Sequence, residues 1–161
     1  MTTPNLDQAA HWNSEAGAGH WVANQARHDR MLEPFLPMII DAAAIRPGDR
    51  VLDIGCGCGA TTRAAASLAG PAAVTGIDLS AAMLARASAD ARSARLLNAS
   101  FIEGDAQVHR FEPDSFDVVI SRFGVMFFDD PVAAFTNLRR ATKSGGRLVF
   151  RRTPIQRSCR T

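Results

Sequence analysis

The segment at residues 51–59, with the sequence VLDIGCGCG, constrains the fold of this chain more than any other. Its first four residues, three of them apolar, predict a buried β-strand. The glycines at 55, 57 and 59 let the backbone turn sharply and approach a ligand that a Cβ atom would keep away. The next residues, ATTRAAA, predict a helix whose N-terminal amides point at the same place. This segment therefore predicts a strand, a turn and a helix that together hold a nucleotide-like ligand.

Acidic residues recur near the ends of later apolar runs. Asp78 lies 23 positions after Gly55, which is near the spacing expected for a ribose-binding carboxylate. Asp105 closes the next run in the same way. Helices or loops separate the apolar runs, so the runs predict a parallel sheet. The carboxyl edge of this sheet would bring the carboxylates of Asp53, Asp78 and Asp105 together. The further runs are residues 73–78, 101–106 and 116–121.

The charge of Asp53 bears on which ligand the glycine turn accepts. A dinucleotide places a pyrophosphate over such a turn, where a nearby carboxylate would repel it. S-adenosylmethionine has no phosphate and carries an ammonium and a sulfonium group, which the same carboxylate attracts. Residues 55–60, GCGCGA, nevertheless satisfy the loose G-x-G-x-x-A dinucleotide pattern, so an NAD-binding oxidoreductase stays open as an alternative.

The motifs taken in order resemble the class I S-adenosylmethionine-dependent methyltransferases, in the small-molecule branch similar to the ubiquinone and menaquinone biosynthesis enzymes. VLDIGCGCG resembles the glycine loop of that family, GIDLS its ribose segment and EGDAQ its adenine segment. FDVVISRFGVMFF resembles its fourth strand, and NLRRATKSGGRLVF its fifth helix and strand. The resemblance implies an α/β fold with a Rossmann-like, doubly wound, mostly parallel sheet of about five strands and flanking helices, which lacks the last two strands of the family.

The resemblance also implies a cofactor site. Asp53 and Gly55 match contacts to the amino and carboxylate groups of the methionine moiety, and Asp78 matches the ribose contact. Asp105 matches the acceptor for the exocyclic amine of adenine, and the Ala106 amide the donor to a ring nitrogen. The full set of implied cofactor-binding residues is Asp53, Gly55, Cys56, Gly57, Gly59, Asp78, Leu79, Met83, Asp105, Ala106, Ser121, Arg122 and Phe123.

Three regions are predicted along the chain. Residues 1–45 form an N-terminal helical lid, residues 46–150 the S-adenosylmethionine-binding domain, and residues 151–161 an irregular basic tail. Because the tail matches no element of the family, we expect a C-terminally truncated chain. A cofactor-binding but catalytically impaired protein is therefore a second alternative. The last strand would also leave a free edge, through which self-association is expected.

Charge and composition indicate the class of acceptor. The net charge is +2, and removing the four arginines of the tail leaves the body at −2. A mildly acidic body does not suit phosphate tracking, so we expect a small-molecule acceptor and no nucleic acid. The sequence shows no membrane span or secretion signal, which predicts a cytoplasmic location. Cys56 and Cys58 lack further metal ligands nearby, so no metal is expected.

Several helices can be placed from periodicity and end signals. Residues 20–44 predict a helix that Pro34 and Pro37 kink or restart. Residues 79–97 predict a second helix with Ser80 as its N-cap. A further helix is predicted over residues 131–141 and a last strand over residues 147–150. Residues 144–146, SGG, end this helix and lead into the strand.

No catalytic residue is assigned from the sequence. Methyl transfer from a sulfonium needs mainly the correct positioning of the reactants, so a protein nucleophile is not required. If the acceptor needs a general base, the candidates are His11, His20, His28 and His109. Trp12 and Trp21 precede the first strand, where they either cover the cofactor pocket or only anchor the leading helix.

Overall fold

The structure is a computed structural model that describes residues 5–152. A π-helical turn (Glu15–Gly19) and a 3-10 turn (Gly124–Phe127) accompany the regular elements. These elements are α1 (Leu6–Trp12), α2 (His20–Ala23), α3 (Gln25–Leu32), α4 (Phe35–Ala43), β1 (Val51–Ile54), α5 (Ala60–Ala69), β2 (Val74–Asp78), α6 (Ala81–Ser93), β3 (Ala99–Glu103), β4 (Phe116–Arg122), α7 (Pro131–Ala141) and β5 (Thr142–Arg151).

The five strands form one parallel sheet in the order β3-β2-β1-β4-β5. The chain builds outward from β1 to β3, and then crosses back so that β4 lies on the other side of β1. Such a reversal opens a crevice at the carboxyl ends of the central strands, where α/β proteins bind their ligands. This architecture confirms the predicted Rossmann-like α/β fold.

The alternation of side chains along β1 builds one core on each face of the sheet. Val51 packs in a cluster with Ile39 of α4 and Ala65 of α5. Leu52 faces the opposite way and packs in a cluster with Leu138 of α7. Because helices cover both faces, every residue of β1 is buried, including the charged third position.

The last strand differs from its prediction over residues 147–150. Strand β5 begins at Thr142, directly after α7, and pairs with β4 through Thr142 and Phe116. Arg147 then pairs with Val118, so that residues 143–146 bulge out opposite Asp117. The SGG segment therefore forms a bulge inside the strand and does not end the helix. The position of this bulge depends on the pairing of β5 with β4.

The N-terminal region is also more divided than its periodicity indicates. The predicted helix over residues 20–44 is three helices, α2, α3 and α4, with Asn24 between the first two. Pro34 precedes α4, as expected for a residue that restarts a helix, but Pro37 lies within the first turn of α4 and does not break it. Although α4 belongs to the predicted lid region, its Ile39 and Ala43 pack against the sheet.

Two helix starts agree closely with the sequence signals. The Ser80 hydroxyl accepts a hydrogen bond from the Met83 amide at 3.3 Å, which caps α6. Helix α7 spans the residues predicted, with Pro131 in its first turn and Asp130 as its cap. The predicted tail contributes Arg151 to β5, and its residues 153–161 lie outside the described part of the chain.

Candidate active site

A cavity of about 460 Å³ opens at the carboxyl edge of the sheet, beside β1 and at the reversal of strand order. Its floor comes from the loops that follow β1, β2, β3 and β4, and its roof comes from the N-terminal helices. Most of the predicted site residues line it, namely Gly55, Cys56, Gly57, Asp78, Leu79, Met83, Asp105, Ala106, Arg122 and Phe123. Asp53, Gly59 and Ser121 lie in the packing behind the wall.

The glycine turn is needed for space as well as for backbone conformation. Gly55 has a φ of 64°, and a Cβ atom built on it would lie 2.6 Å from the Cα atom of Gly124. Two loops, after β1 and after β4, therefore touch backbone to backbone at the cavity floor. A Cβ atom on Gly59 would instead meet Ala87 at 2.9 Å and Phe101 at 3.1 Å, so this glycine serves the packing of α5 and α6 on β3.

Asp78 organises the glycine turn through its carboxylate. One oxygen accepts a hydrogen bond from the Gly57 amide at 2.8 Å, and the other accepts from the Ser80 amide at 2.9 Å. Burial raises the pKa of Asp78, an effect that the hydrogen bonds from Ser80 and Gly57 oppose. A carboxylate has about four lone-pair sites, so acceptor capacity remains on the cavity side.

Asp105 carries a buried acceptor that the protein leaves unused. Its Oδ1 accepts from the Gln107 amide at 2.9 Å, whereas Oδ2 is buried and has no hydrogen-bond partner in the described structure. The loop around it is fixed by the Asn137 side chain, which donates to the Ala106 and His109 carbonyls at 2.9 and 2.8 Å. Buried polar atoms are normally satisfied, so an unpartnered oxygen in a residue that lines a cavity indicates a ligand donor.

Asp53 lies behind the cavity wall because of the strand alternation. It shares the face of Val51, under α5, where its Oδ2 accepts from the Thr62 hydroxyl at 2.7 Å. Burial raises the pKa of Asp53 to about 7, although Thr62 and the charge of Arg122 both lower it. This residue therefore acts on the cavity through its charge.

Ser121 joins two loops of the cavity floor. Its hydroxyl donates to the Ile54 carbonyl at 2.8 Å and accepts from the Val125 amide at 3.2 Å. Because both bonds are made within the protein and the side chain is buried, Ser121 holds the β1 and β4 ends together from below. Arg122 and Phe123, the next two residues, line the cavity itself.

An aromatic cluster closes the opposite side of the cavity. Trp12 packs edge-on against Trp21 at 5.9 Å and against Phe127 at 5.3 Å between ring centroids. Asn13 ties this cluster to the β2–α6 turn, because its side chain donates to the Leu79 carbonyl at 2.8 Å and accepts from the Ala81 amide at 3.2 Å. The leading segment therefore contacts the loop that follows Asp78.

The candidate bases do not reach the cavity. Of the four histidines, all within the described residues, none lines the cavity wall. His28 stacks on Trp21 at 4.0 Å, and His11 packs edge-on against Trp12 at 4.9 Å, so both lie behind the aromatic cluster. His109 packs against Phe111 at 4.6 Å.

Sequence reasoning did not find several residues that shape the site. Thr62 and Asn137 act through hydrogen bonds to Asp53 and to the loop after β3, which no local pattern reveals. Gly124 could have been noticed, because a glycine two residues after an apolar strand is a sign of close backbone approach. The pairing of Asn13 with Leu79 spans 66 positions and has no signal in the sequence.

Comparison with known proteins gives the family. The model of a family described as methyltransferase domain matches residues 51–146, which is more than half of the chain. The chain belongs to this methyltransferase domain family. The assignment confirms the predicted resemblance to class I S-adenosylmethionine-dependent methyltransferases and the cofactor predicted for that family.

Individual relatives of this methyltransferase chain agree with the assignment. Aklanonic acid methyltransferase from Streptomyces is 36% identical over 132 residues, which cover 79% of this chain and 60% of the relative. Demethylmenaquinone methyltransferase from Renibacterium salmoninarum is 33% identical over 112 residues, covering 70% and 44%. A putative S-adenosylmethionine-dependent methyltransferase from Methanococcus maripaludis superposes with a TM-score of 0.73 at 26% identity, covering 85% of this chain and 63% of the neighbour.

This chain spans about half the length of the curated relatives that it matches, for example 60% of the aklanonic acid methyltransferase and 42% of an uncharacterised protein from Mycobacterium bovis. Among residues 5–152, no helix has both the length and the apolar character that crossing a bilayer requires.

Proposed function

We propose that this chain is an S-adenosylmethionine-dependent methyltransferase that acts on a small-molecule acceptor. The observation that carries the proposal is the sign of charge along the cavity floor. From β3 to β1 the strand ends contribute Asp105, Asp78 and, behind the wall, Asp53, whereas Arg122, at the end of β4, is the one Lys or Arg that lines the cavity among the described residues. A diphosphate would face three carboxyl groups there, whereas a sulfonium cofactor would be attracted.

The adenosine end of the cofactor fits the ends of β2 and β3. We expect the unpartnered Asp105 Oδ2 to accept from an exocyclic amine, which would satisfy the one buried acceptor that the loop leaves open. Asp78, which keeps acceptor capacity after its bonds to Gly57 and Ser80, would accept from the ribose hydroxyls. Leu79 and Met83 add apolar contacts from the start of α6.

The methionine end fits the glycine turn. Gly55 and Gly57 let the backbone come close to the amino-acid group, and Asp53 supplies negative charge from behind the wall. The N-terminal amides of α5, which begins at Ala60, face the same turn and favour a carboxylate there.

The chemistry follows from position and exclusion of water. When bound, S-adenosylmethionine would supply an activated methyl carbon to the acceptor, and Asp78, Asp105 and the glycine turn would hold the cofactor in place. The protein holds the acceptor near this carbon, a contribution on the order of 7–11 kcal/mol in the best intramolecular analogues. Trp12, Trp21 and Phe127 cover the cavity and keep water out.

The N-terminal helices form the lid in this proposal. Trp12 and Trp21 pack against Cys58 of the glycine turn and Met83 of α6, and Asn13 adds hydrogen bonds to the turn after β2. These contacts favour a lid over a mere anchor, because they involve the loops assigned to the cofactor. The proposed lid therefore consists of α1, α2 and α3. Helix α4 also precedes residue 46, but it packs into the core of the sheet.

The partners and location form part of the same proposal. The apolar cavity and the mildly acidic body support a small molecule over nucleic acid as the acceptor. Within residues 5–152, strand β5 pairs with β4 on one side and has no strand on the other, an edge through which we expect self-association. Cys56 and Cys58 are free thiols, in keeping with a reducing cytoplasm.

Turnover tests the proposed function directly. The 161-residue chain is incubated with S-adenosylmethionine and a panel of aromatic hydroxyl and carboxylic acid acceptors, and S-adenosylhomocysteine is quantified by mass spectrometry. We expect product that depends on the acceptor. Binding of S-adenosylhomocysteine without any turnover would identify the impaired, cofactor-binding protein instead, and binding of neither S-adenosyl compound would contradict the proposal.

The high pKa of Asp53 predicts how cofactor binding depends on pH. Below its pKa of about 7 the carboxyl is mostly neutral, and the ammonium group of S-adenosylhomocysteine interacts better with the ionised form. The affinity for S-adenosylhomocysteine is therefore expected to fall by up to about tenfold per pH unit below pH 7. Titration calorimetry between pH 6 and pH 8 measures this dependence.

Asp53→Asn provides the control for the pH profile. Asparagine keeps an oxygen for the Thr62 hydroxyl but cannot ionise, so its binding profile should be flatter than that of the wild type. In the ligand-free protein, a raised pKa means that stability is lost as the pH rises from 3.8 to about 7, so the variant should melt higher than the wild type at pH 8. Identical binding profiles for the two proteins would contradict the role given to Asp53.

A further inference from the structure

Arg122 is among the predicted cofactor-binding residues, but the proposed function gives it no contact with the cofactor. Arg122 ends β4, on the side of β1 away from the adenosine end, and its side chain lines the cavity. Its neighbours in the wall include Leu32, Phe35 and Phe123, and the two phenylalanine rings pack edge-on at 5.1 Å. A guanidinium in an apolar wall needs compensation for its lost hydration.

The protein supplies little of that compensation. The hydrogen bond from Arg122 Nη1 to the Leu32 carbonyl is long, at 3.4 Å. Asp53 and Asp29 attract the guanidinium electrostatically, yet neither comes within ion-pair distance of it in the described structure. Burial lowers the pKa of Arg122, but an arginine stays charged. The ion pairs within residues 5–152 join Arg63 and Arg86 to Asp90, Lys143 to Asp117, and Arg147 to Asp49.

A second arginine increases the positive potential at the same place. Arg151 of β5 pairs with Arg122 in the parallel ladder, so both side chains leave the sheet on the same face. The Arg151 guanidinium lies over the Phe35 ring, 5.3 Å from its centroid. Like charges on neighbouring strands repel each other, and an anion between or beside them relieves that repulsion.

We propose that Arg122 binds a carboxylate inside the cavity and thereby selects an acceptor with an apolar aromatic body and an acidic group. This inference rests on the proposed function, because it takes the cavity as the site of methyl transfer. The planar fork of arginine donors matches a carboxylate with two parallel hydrogen bonds, and the aromatic wall suits a flat ring. A carboxylate can also come from the amino-acid end of the cofactor, and the experiment separates the two sources.

Calorimetric titration of the full chain tests the proposal with defined probes. Naphthoate and its neutral analogue naphthamide are titrated into the protein with and without S-adenosylhomocysteine. S-adenosylhomocysteine and methylthioadenosine, which lacks the amino-acid end, are titrated separately. The variants are Arg122→Gln, Arg122→Lys and, as a control, Arg50→Gln, which alters an arginine over Phe116 at the opposite end of β4. Thermal melting of each variant confirms that it is folded.

If the acceptor supplies the carboxylate, Arg122→Gln should weaken naphthoate binding by about ten- to one-hundred-fold and leave naphthamide unchanged. If the cofactor supplies it, the same variant should weaken S-adenosylhomocysteine by a similar factor and leave methylthioadenosine unchanged. Arg122→Lys should retain part of the affinity, because it keeps the charge without the fork.

The selection of an acidic acceptor is overturned if Arg122→Gln does not reduce the affinity for naphthoate relative to Arg50→Gln, and carboxylate binding by Arg122 is overturned as well if the affinity for S-adenosylhomocysteine is also unchanged. Failure of the proposed function gives a different result, namely a wild-type chain that binds neither S-adenosyl compound. In that case only the titration of naphthoate into the ligand-free protein tests whether Arg122 binds a carboxylate.

Discussion

Asp78→Asn is expected to reduce the affinity for S-adenosylhomocysteine at least about one-hundredfold, since hydrogen bonds to a charged group contribute roughly 1.5–3 kcal/mol each. The wild-type carboxylate accepts from the Gly57 and Ser80 amides with separate oxygens. Asparagine keeps only one acceptor oxygen and presents an NH₂ group to the other amide. The variant therefore loses an acceptor for ribose and also loosens the glycine turn.

The fold should survive this substitution. Burial already raises the pKa of Asp78, which means that the charged form is costly in the folded protein and that a neutral side chain is tolerated. Titration calorimetry with S-adenosylhomocysteine measures the effect, and circular dichroism confirms the fold. Asp117→Asn is the matched control, because this aspartate pairs with Lys143 near the start of β4, away from the cavity. Equal affinities for the two variants would show that Asp78 does not contact the cofactor.

Gly55→Ala is expected to lower the melting temperature by roughly 10 °C and to abolish cofactor binding. An alanine at a φ of 64° lies in the left-handed region, which costs about 1–2 kcal/mol. The new Cβ atom would also lie 2.6 Å from the Gly124 Cα atom, and relieving this overlap costs about 1–3 kcal/mol more. Because both glycines line the cavity, the displaced loop changes the cofactor site itself.

Gly145→Ala separates the steric effect from the conformational one. Gly145 has a φ of 75°, close to that of Gly55, but a Cβ atom there would meet nothing within 4 Å. The substitution should therefore cost only the left-handed penalty, lower the melting temperature by about 2–8 °C, and leave S-adenosylhomocysteine binding unchanged. Similar losses of binding in the two variants would contradict the proposed contact between the loops after β1 and β4.

The parts of the fold that local signals determine could be predicted from the sequence. The apolar run and glycines of residues 51–59 give the strand and turn, and Pro131 marks the start of α7. The bulge in β5 could not be predicted, because it depends on the register against β4. Likewise, the break between α2 and α3 follows no proline or glycine, since the residue between them is Asn24.

The candidate site shows the same division between local and long-range causes. The spacing of acidic residues predicts that Asp78 and Asp105 lie along one cavity, which the structure shows. Asp53 is the third of the four residues of β1, and the side-chain alternation turns it toward Thr62 and away from the cavity. The roof, in which Trp12 meets Phe127, joins residues too far apart in the chain for any local pattern to pair them.

Titration calorimetry of the 161-residue chain with S-adenosylhomocysteine and, in parallel, with NADH tests most directly whether the carboxyl-lined cavity accepts a sulfur-based nucleoside. We expect saturable binding of S-adenosylhomocysteine that Asp78→Asn removes, and no measurable binding of NADH. Tight binding of NADH together with no response to S-adenosylhomocysteine would contradict the proposed cofactor and, with it, the methyltransferase function.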